Sequence, residues 1–435
     1  MFTKIFVDNF LGISAPILFD FISQSRNKQQ LNSVIKIEEG IYVNKLIGII
    51  GGNASGKTSI LSAINMIGQL LVSPILQVDI KEKINTIKDL LEKEDSIEDR
   101  KLINEVLDSI NSAADITVQN LRRQDEDTVI EVEMYIVADE EELTGYYTYK
   151  VVFNGKSKKI RKECLDFRKK YKEKKNSIIR IEDAKEGQVY YINRYFRNIT
   201  DIDIERKKEL EKKYKYCKTF VEHYINNSAT LDTSEDCNYK NLKYIDWYKK
   251  SSETFTPLVR IVDPKIKEVI IETDSKYEEL MFILRDGSKI TRNMLSTGTE
   301  RFLNLIRYVN EIIDKSGVLI IDEIEQNLHK DLVELIIKLF SEMNENNAQI
   351  IFTTLSPEIF DIMDRNNKRL FKQDTIFIIN SENDDIEVNK LIDIQIDGKR
   401  VKGDASVANL YRHRKISCHP DKEQIDIFLN NFNRR

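Results

Sequence analysis

The chain has 435 residues, enough for about three average domains or one large discontinuous domain. Hydrophobic residues make up 41% and charged residues 32%, which indicates a sizeable core together with much exposed surface. The net charge of −5 argues against a globally basic coat for nucleic acid, and no apolar run approaches the length of a membrane span. We expect no secretory signal peptide in residues 1–5.

The four cysteines are scattered along the chain without the spacing of metal ligands. They are Cys164, Cys217, Cys237 and Cys418. Reduced thiols in a cytoplasmic protein are the simplest interpretation.

Short apolar runs predict several β-strands in the first fifty residues. We place them at Phe2–Val7, Ile17–Phe21, Val34–Ile37, Ile41–Val43 and Leu46–Ile50. From residue 59 to residue 71 the apolar side chains recur at helical spacing, which predicts a helix.

The segment between the last strand and this helix, residues 51–58, reads G-G-N-A-S-G-K-T and fits the phosphate-binding pattern G-x-x-x-x-G-K-[ST]. In such a loop, backbone N–H groups turn towards phosphate oxygens, and the helix N-terminus adds partial positive charge. We expect Lys57 to contact the β- and γ-phosphates and Thr58 to bind Mg²⁺. The predicted nucleotide contacts are Gly51, Gly52, Asn53, Ala54, Ser55, Gly56, Lys57, Thr58 and Ser59. An ordinary glycine turn is the alternative, and the strand–loop–helix order disfavours it.

Two segments further along have different periods. Residues 78–112 carry apolar side chains at helical spacing and predict a helical hairpin. Residues 129–153 alternate apolar and polar side chains on either side of Gly145, which predicts an antiparallel β-hairpin with one face in solvent.

A basic stretch follows. Residues 156–175 hold eleven Lys or Arg against three acidic residues, and four aromatic residues lie between residues 190 and 196. Such a run near aromatic rings can bind nucleic acid. A solvated helical arm is the favoured interpretation, because charge runs usually mark exposed faces. We predict another charged helix at about 203–226 and loops at 227–256.

Regular patterns return near residue 257. Leu258–Val262 and Val269–Ile271 read as strands. Leu280–Leu284 and Lys289–Thr291 flank an Asp-Gly pair at 286–287, which predicts a β-hairpin.

Val318–Ile321 is a short apolar run that ends in two carboxylates, Asp322 and Glu323. A buried parallel strand delivers its C-terminal residues to the ligand crevice of an α/β sheet. Asp322 is therefore predicted to hold Mg²⁺, and Glu323 to orient and deprotonate an attacking water. A strand that simply ends at an acidic loop is the alternative, which the upstream phosphate loop disfavours.

Residues 295–300 read L-S-T-G-T-E and precede a predicted helix. A serine hydroxyl and a glycine-flanked helix N-terminus form a second anion site, here Ser296 and Gly298. The segment resembles the L-S-x-G-x-[QE] signature of ABC-type ATPases, which implies Ser296, Gly298 and Glu300 as nucleotide contacts. By itself this pattern is an ordinary helix cap. Its place one helix before the Asp322 strand favours a functional role. A helix at about 332–343, a strand at Gln349–Thr354 and a last strand at Thr375–Ile379 complete the pattern.

Together, G-G-N-A-S-G-K-T, L-S-T-G-T-E-R and D-E-I-E-Q-N-L-H resemble the ABC-type ATPases of the SMC, RecF and OLD clade, in particular short OLD-like AAA-family ATPases of bacteria. The resemblance implies an α/β fold, a P-loop ABC-type ATPase head with a mixed sheet and an antiparallel β layer, interrupted by a mostly helical insertion. It places the head at residues 1–75 and 257–392, the insertion at 76–256 and a tail at 393–435, with the 129–153 hairpin in the head's β layer.

The resemblance also implies activity and assembly. We expect a cytoplasmic ATPase that uses ATP and Mg²⁺, with Lys57 and Glu323 in catalysis. In this family the signature serine covers the γ-phosphate bound by the other protomer, which implies a homodimer or higher homo-oligomer through the heads. Leu355 occupies the position of the family's γ-phosphate-sensing histidine, a departure that predicts slow hydrolysis.

Three further positions follow from the family pattern. A histidine recurs at the position of His329, which implies a place near the phosphates at the dimer interface and a share in catalysis. A structural hydrogen-bonding histidine is the alternative. Gln69 and Gln77 are candidates for the family's Q-loop glutamine.

Several relatives act in phage defence. OLD and Gabija-type proteins carry a TOPRIM nuclease, whereas AriA of the PARIS system and the AbiL-type ATPases act beside a separate effector. About 55 residues follow Ile379, so we expect no TOPRIM domain and a separate effector, a nuclease or toxin. The basic tail either packs on the head or docks a partner. The alternative function is a RecF-like DNA-binding ATPase in repair or recombination. We expect no membrane partner, which disfavours a transporter motor.

Overall fold

The computed structural model describes residues 1–13, 15–23, 33–53, 55–68, 70–71, 123, 125–181, 204–231, 240–274, 277–342, 347–382, 385–416 and 427. Several predictions lie outside these residues. They are the helical hairpin at 78–112, the aromatic group at 190–196, Ala54, Gln69, Gln77, Cys237 and Cys418.

The strands and helices follow one another in this order. The strands are β1 (Phe2–Asp8), β2 (Ile17–Asp20), β3 (Val34–Glu38), β4 (Ile41–Asn44), β5 (Leu46–Gly51), β6 (Thr128–Ile136), β7 (Gly145–Phe153), β8 (Ile160–Arg168), β9 (Asn176–Ile181), β10 (Ser228–Leu231), β11 (Ile266–Asp274), β12 (Tyr277–Leu284), β13 (Lys289–Thr291), β14 (Val318–Ile321), β15 (Gln349–Thr354), β16 (Ile376–Glu382), β17 (Asp385–Lys390), β18 (Gln395–Ile396) and β19 (Lys399–Arg400). The helices are α1 (57–68, continuing at 70–71), α2 (Ile204–Asn227), α3 (Lys240–Lys250), α4 (Ser252–Val262), α5 (Thr297–Asp314), α6 (Lys330–Glu342) and α7 (Val407–Arg412).

The central sheet has the strand order β10-β14-β15-β5-β16-β17. Its strands run parallel, apart from β17, which pairs antiparallel with β16. Strands β14, β15 and β5 are buried along their whole length, as expected for parallel strands covered on both faces. Because these strands are parallel, their carboxyl ends meet at one edge of the sheet.

A second six-stranded sheet is antiparallel, in the order β2-β1-β6-β7-β8-β9. Alternate residues of the central sheet point to opposite faces, so Ile47 and Ile49 pack in one core with α1 and the antiparallel sheet. Leu46 and Ile50 pack in the other core, with α5 and α6. The predicted mixed α/β head with an antiparallel β layer is confirmed.

The buried amide of Gln349 fastens the two sheets together. Its Oε1 accepts the backbone N–H of Phe2 at 2.9 Å, and its Nε2 donates to the carbonyls of Phe2 at 3.1 Å and Asn44 at 3.0 Å. A buried amide with several partners fixes the register between layers, because each lost bond would leave a desolvated polar group.

Three of the sequence predictions for residues 129–256 are wrong. The predicted helical arm is instead β8 and β9, which extend the antiparallel sheet. Cys164, Leu165 and Phe167 are buried there, so apolar packing decides the structure of a strongly charged segment. The predicted wet face of the 129–153 hairpin is also covered. The Arg168 guanidinium lies 4.9 Å from the ring centre of Tyr146 and pairs with Glu133 at 2.9 Å.

The loops predicted at 227–256 are β10, α3 and the start of α4.

Two smaller corrections concern single segments. Leu258–Val262 was expected as a strand and belongs to helix α4, because Phe255 and Val259, four residues apart, face one buried cluster. The strand at Thr375–Ile379, observed as β16, is followed by β17 and is therefore not the last strand. The other predicted strands and helices within the described residues are confirmed to within a few residues.

The tail packs on the head as far as residue 416. The Asp361 carboxylate caps helix α7, accepting the Ser406 hydroxyl at 2.6 Å and the backbone N–H groups of Val407 at 3.0 Å and Ala408 at 3.1 Å. Val407 and Ile416 are buried in the core beside α5 and α6. No helix in the described part of the chain combines the length and hydrophobicity needed to span a bilayer.

Candidate functional site

The glycine-rich loop joins the carboxyl end of β5 to helix α1 at the edge of the central sheet. Gly56 has a φ of +92°, a left-handed conformation that a side chain would strain. Glycine is also favoured at position 51, because a Cβ there would collide with the Ser55 hydroxyl and lie 3.1 Å from the backbone oxygen of Ile379. Glycine at both positions therefore suits the tight path of the loop backbone. Ser59, one helical turn on, lies beside Gly12.

Lys57 and Ser55 are buried polar residues of this loop. The Lys57 ammonium donates to the carbonyls of Gly51 and Gly52, both at 2.7 Å. Ser55 is 3% exposed, and its hydroxyl has no hydrogen-bond partner among the described residues. A buried hydroxyl without a partner is costly, so the cradle fits a ligand that brings hydrogen-bond acceptors. Phosphate oxygens are such acceptors.

Thr58 and Asp322 meet across the strand edge. The exposed Thr58 hydroxyl donates to Asp322 Oδ2 at 2.9 Å, although the two residues are 264 positions apart in the chain. Asp322 is 8% exposed and follows β14, as the sequence predicted. One hydroxyl and one carboxylate suit Mg²⁺, which keeps several waters and takes its other ligands from substrate phosphates. The described chain holds no cluster of three His, Cys, Asp or Glu side chains that would make an all-protein metal cage.

Glu323 follows directly and has a left-handed backbone, with a φ of +46°. This conformation is uncommon for a residue with a side chain and is often found at functional sites. Glu323 is half-buried and directly follows Asp322 in the chain. The position matches the predicted base, while its role stays a prediction.

The predicted second anion site lies at the start of α5. Ser296 caps this helix, and its Oγ accepts the backbone N–H of Thr299 at 3.1 Å. A Cβ on Gly298 would lie 2.9 Å from the backbone oxygen of Asn327, so glycine allows this loop to approach the loop after β14. Glu300 is held within the chain, by Arg292 at 2.7 Å.

His329 lies on the surface, 67% exposed, at the start of α6. Its Nδ1 is 3.4 Å from Asp331 Oδ2, and its carbonyl accepts the N–H of Leu332 at 2.9 Å. Leu355 follows β15 and is 39% exposed. Since β15 lies between β14 and β5, Leu355 emerges between the acidic pair and the glycine-rich loop.

A profile of the AAA ATPase domain family matches residues 28–360, more than half of the chain. The chain belongs to the AAA ATPase domain family. A comparison with curated proteins finds no match.

Solved structures similar to this AAA ATPase domain include SMC heads. The SMC head domain from Thermotoga maritima is 10% identical, with a TM-score of 0.40, over 91% of this chain and 99% of that chain. A Smc head bound to the C-winged helix domain of ScpA is 12% identical, with a TM-score of 0.42, over 89% and 96%. A Smc head with an extended coiled coil, bound to the C-terminal domain of ScpA derived from Pyrococcus furiosus, is 12% identical, with a TM-score of 0.40, over 89% and 95%.

Sequence reasoning missed three residues that contact the candidate site of this ATPase domain. Thr353 bonds to Asp322, Arg301 donates to the backbone carbonyl of Asp322 at 3.3 Å, and Glu325 accepts the N–H of Leu355 at 2.6 Å. A polar residue at the end of an otherwise apolar strand was the available signal for Thr353. Arg301 and Glu325 lie within the segments L-S-T-G-T-E-R and D-E-I-E-Q-N-L-H, but their contacts depend on the fold.

Proposed function

We propose that this chain is a Mg²⁺-dependent ATPase whose glycine-rich loop holds ATP and whose Glu323 activates the attacking water. The observation that carries the proposal is the bond of 2.9 Å between Thr58 Oγ1 and Asp322 Oδ2. The side chains of Thr58 and Asp322 suit Mg²⁺ and come from motifs that are far apart in the chain. They lie next to a loop in which the buried hydroxyl of Ser55 has no hydrogen-bond partner among the described residues. Mg²⁺ supplies charge neutralisation for phosphoryl transfer when it is bound.

The remaining roles follow from the positions of the side chains. When ATP binds, the Lys57 ammonium gives up its hydrogen bonds to the loop carbonyls and contacts the β- and γ-phosphates instead. Ser55 and the N–H groups at the start of α1 contact phosphate oxygens, because the helix N-terminus favours negative charge. Glu323, accessible beside Asp322, accepts the proton of the attacking water.

We further propose that two heads close around two ATP molecules. Ser296 and Gly298 of one head then cover the γ-phosphate held by the other. The exposed apolar side chains beside the two motifs support this arrangement. Met294, two residues before Ser296, is 66% exposed, and Leu355 is 39% exposed. A closed dimer would remove both from water, which stabilises the contact in proportion to the apolar area buried.

The biological role that we propose is a sensor or scaffold in bacterial phage defence, acting in the cytoplasm on a separate effector, a nuclease or toxin. The D-E-I-E-Q-N-L-H segment, which resembles that of OLD-like ATPases, supports this role. Slow hydrolysis suits a poised sensor, because ATP then acts mainly to hold the closed state.

Lys57→Ala tests the activity and the role together. We expect ATP affinity, measured by calorimetry, to fall about 10- to 100-fold, since charge-assisted hydrogen bonds to the phosphates are lost. Phosphate release and protection of cells from phage, measured with the neighbouring genes present, should be lost as well. Lys215→Ala is the matched control, because Lys215 is an exposed lysine on α2 that pairs with Glu140. Unchanged ATP affinity in Lys57→Ala would refute the nucleotide site. Intact phage protection in that variant would refute the ATP-dependent defence role.

A RecF-like DNA-binding ATPase is the second candidate, and one observation favours it. The turn between β8 and β9 presents four exposed lysines, Lys170, Lys172, Lys174 and Lys175. Binding to these side chains would release counterions and depend steeply on salt. Duplex DNA binding that requires ATP and weakens from 50 to about 200 mM salt would support this candidate.

A further inference from the structure

Thr353 contacts the turn after β14 that holds Asp322, Glu323 and Ile324, although no motif contains it. It is fully buried in β15, the strand between β14 and β5. In the register of β14 and β15, Ile321 pairs with Phe352, so Thr353 lies one step on, beside Asp322.

Three consecutive residues of the turn bind to Thr353. Its hydroxyl donates to Asp322 Oδ1 and accepts the backbone N–H of Glu323 at 2.8 Å. Its carbonyl accepts the N–H of Ile324 at 3.1 Å. The hydroxyl therefore donates a hydrogen bond to Asp322, the predicted metal ligand, and accepts one from Glu323, the predicted base.

These contacts have separate consequences for the two acidic residues. The bond to Oδ1 leaves Oδ2 turned towards Thr58, so it fixes which carboxylate oxygen faces the loop. The bond to the Glu323 N–H stabilises a backbone with a φ of +46°, which is unfavourable in a residue with a Cβ. Valine would fill the same volume, and it would leave both the Asp322 oxygen and the Glu323 N–H without this partner.

We infer that Thr353 is a positioning residue for hydrolysis, holding the metal-binding carboxylate and the base in one fixed arrangement. Thr353 touches neither nucleotide nor metal in this scheme and acts through Asp322 and Glu323. The inference rests on the proposed Mg²⁺-dependent ATPase activity. Hydrogen-bonding partners of metal ligands of this kind are typically worth 10- to 100-fold in metal affinity or activity.

Steady-state hydrolysis across an Mg²⁺ titration tests the inference. In Thr353→Val we expect kcat to fall about 10- to 100-fold and the Mg²⁺ concentration for half-maximal rate to rise about tenfold. ATP affinity measured without Mg²⁺ should stay within about twofold, because Lys57 and the loop are intact. Thr353→Ser retains the hydroxyl and should keep the wild-type Mg²⁺ requirement.

Thr375→Val is the matched control for the loss of a buried threonine hydroxyl. Thr375 is equally buried, and its hydroxyl donates to the carbonyl of Lys372 at 2.8 Å. It directly precedes β16, so it lies at the amino ends of the parallel strands, whereas the glycine-rich loop lies at their carboxyl ends. We expect its Mg²⁺ requirement and kcat to match the wild type. If Thr353→Val does not fold, Thr353→Ser and Thr353→Ala provide the same comparison, since they differ by the hydroxyl alone.

The outcomes separate the two proposals. Wild-type protein without Mg²⁺-dependent turnover refutes the proposed function. An active wild type with an unchanged kcat and Mg²⁺ requirement in Thr353→Val refutes the role of Thr353 and leaves the function standing. An equal loss in Thr375→Val shows a general effect of core destabilisation and also overturns the inference.

Discussion

The carboxylate of Glu325 accepts the backbone N–H of Leu355 at 2.6 Å. This bond links the loop after β14 to the end of β15, which the resemblance to ABC-type ATPases predicts to be the position of a γ-phosphate-sensing histidine. The other carboxylate oxygen, Oε2, is buried and has no hydrogen-bond partner among the described residues. The backbone at Leu355 is therefore held in place, while its side chain offers no hydrogen bond to a phosphate.

Leu355→His should increase the rate of ATP hydrolysis. A leucine cannot donate a hydrogen bond, and one preorganised donor at such a site is typically worth roughly 10²–10³ in rate. Because Glu325 already holds the backbone at this position, we expect the new imidazole to reach the γ-phosphate and to raise turnover towards that factor. Phosphate release under single-turnover conditions is the measurement.

Leu355→Phe is the control for Leu355→His, since it introduces a ring without a donor and should leave turnover near the wild-type value. Equal rates in the two variants would show that the side chain at this position does not face the γ-phosphate.

His329→Ala asks whether a nearby histidine has replaced the missing one. His329 is exposed, its Nδ1 lies 3.4 Å from Asp331 Oδ2, and it directly precedes α6. We expect residual turnover to fall strongly while ATP affinity of the single head is unchanged. Fast hydrolysis that survives this substitution would assign His329 a structural role and leave Glu323 and Mg²⁺ as sufficient.

Glu323→Gln should keep ATP bound and stop hydrolysis. The amide preserves the shape of the side chain and cannot accept the proton of water. Light scattering should then show a dimer that persists with ATP and Mg²⁺. Glu325→Gln is the matched control on the same loop, because its amide oxygen can still accept the N–H of Leu355. Wild-type turnover in Glu323→Gln would mean that another group is the base.

The sequence predicted the structure best in segments where a motif and the strand or helix pattern around it indicated the same fold. The strands predicted at Leu46–Ile50, Val318–Ile321 and Gln349–Thr354 are observed to within one residue, and all three are buried along their length. The pairing of Thr58 with Asp322 follows from the central sheet, because parallel strands bring both motifs to one edge.

Prediction failed where tertiary packing decided the structure. The basic run around Arg168 contains more charge than a typical strand, yet Arg168 pairs with Glu133 and covers Tyr146, which makes the strand stable. Thr353 was missed for a related reason. Its importance comes from hydrogen bonds to a neighbouring strand, and the spacing of residues in one chain does not reveal such contacts.

Ser296→Arg tests whether the signature acts on a second copy of the chain. In the single chain Ser296 contacts Thr299, and Gly298 adjoins Asn327. The proposed closure would bring Ser296 to the γ-phosphate held by a second head. A bulky cation at this position should block closure of the dimer and spare ATP binding to one head. Calorimetry with the single head and light scattering with ATP and Mg²⁺ measure the two effects, best in the background of Glu323→Gln, where the dimer should persist.

Two controls make the test of Ser296→Arg specific. Ser296→Ala removes the helix cap, which typically costs about 0.5–2 kcal/mol, without adding bulk, so it separates destabilisation of α5 from obstruction of the interface. Val137→Arg places the same cation at an exposed apolar residue after β6, 67% exposed, and should leave dimerisation intact. Met294→Arg, two residues from Ser296, should block dimerisation as Ser296→Arg does. A dimer that forms normally with ATP in both Ser296→Arg and Met294→Arg would refute the proposal that the heads close around ATP.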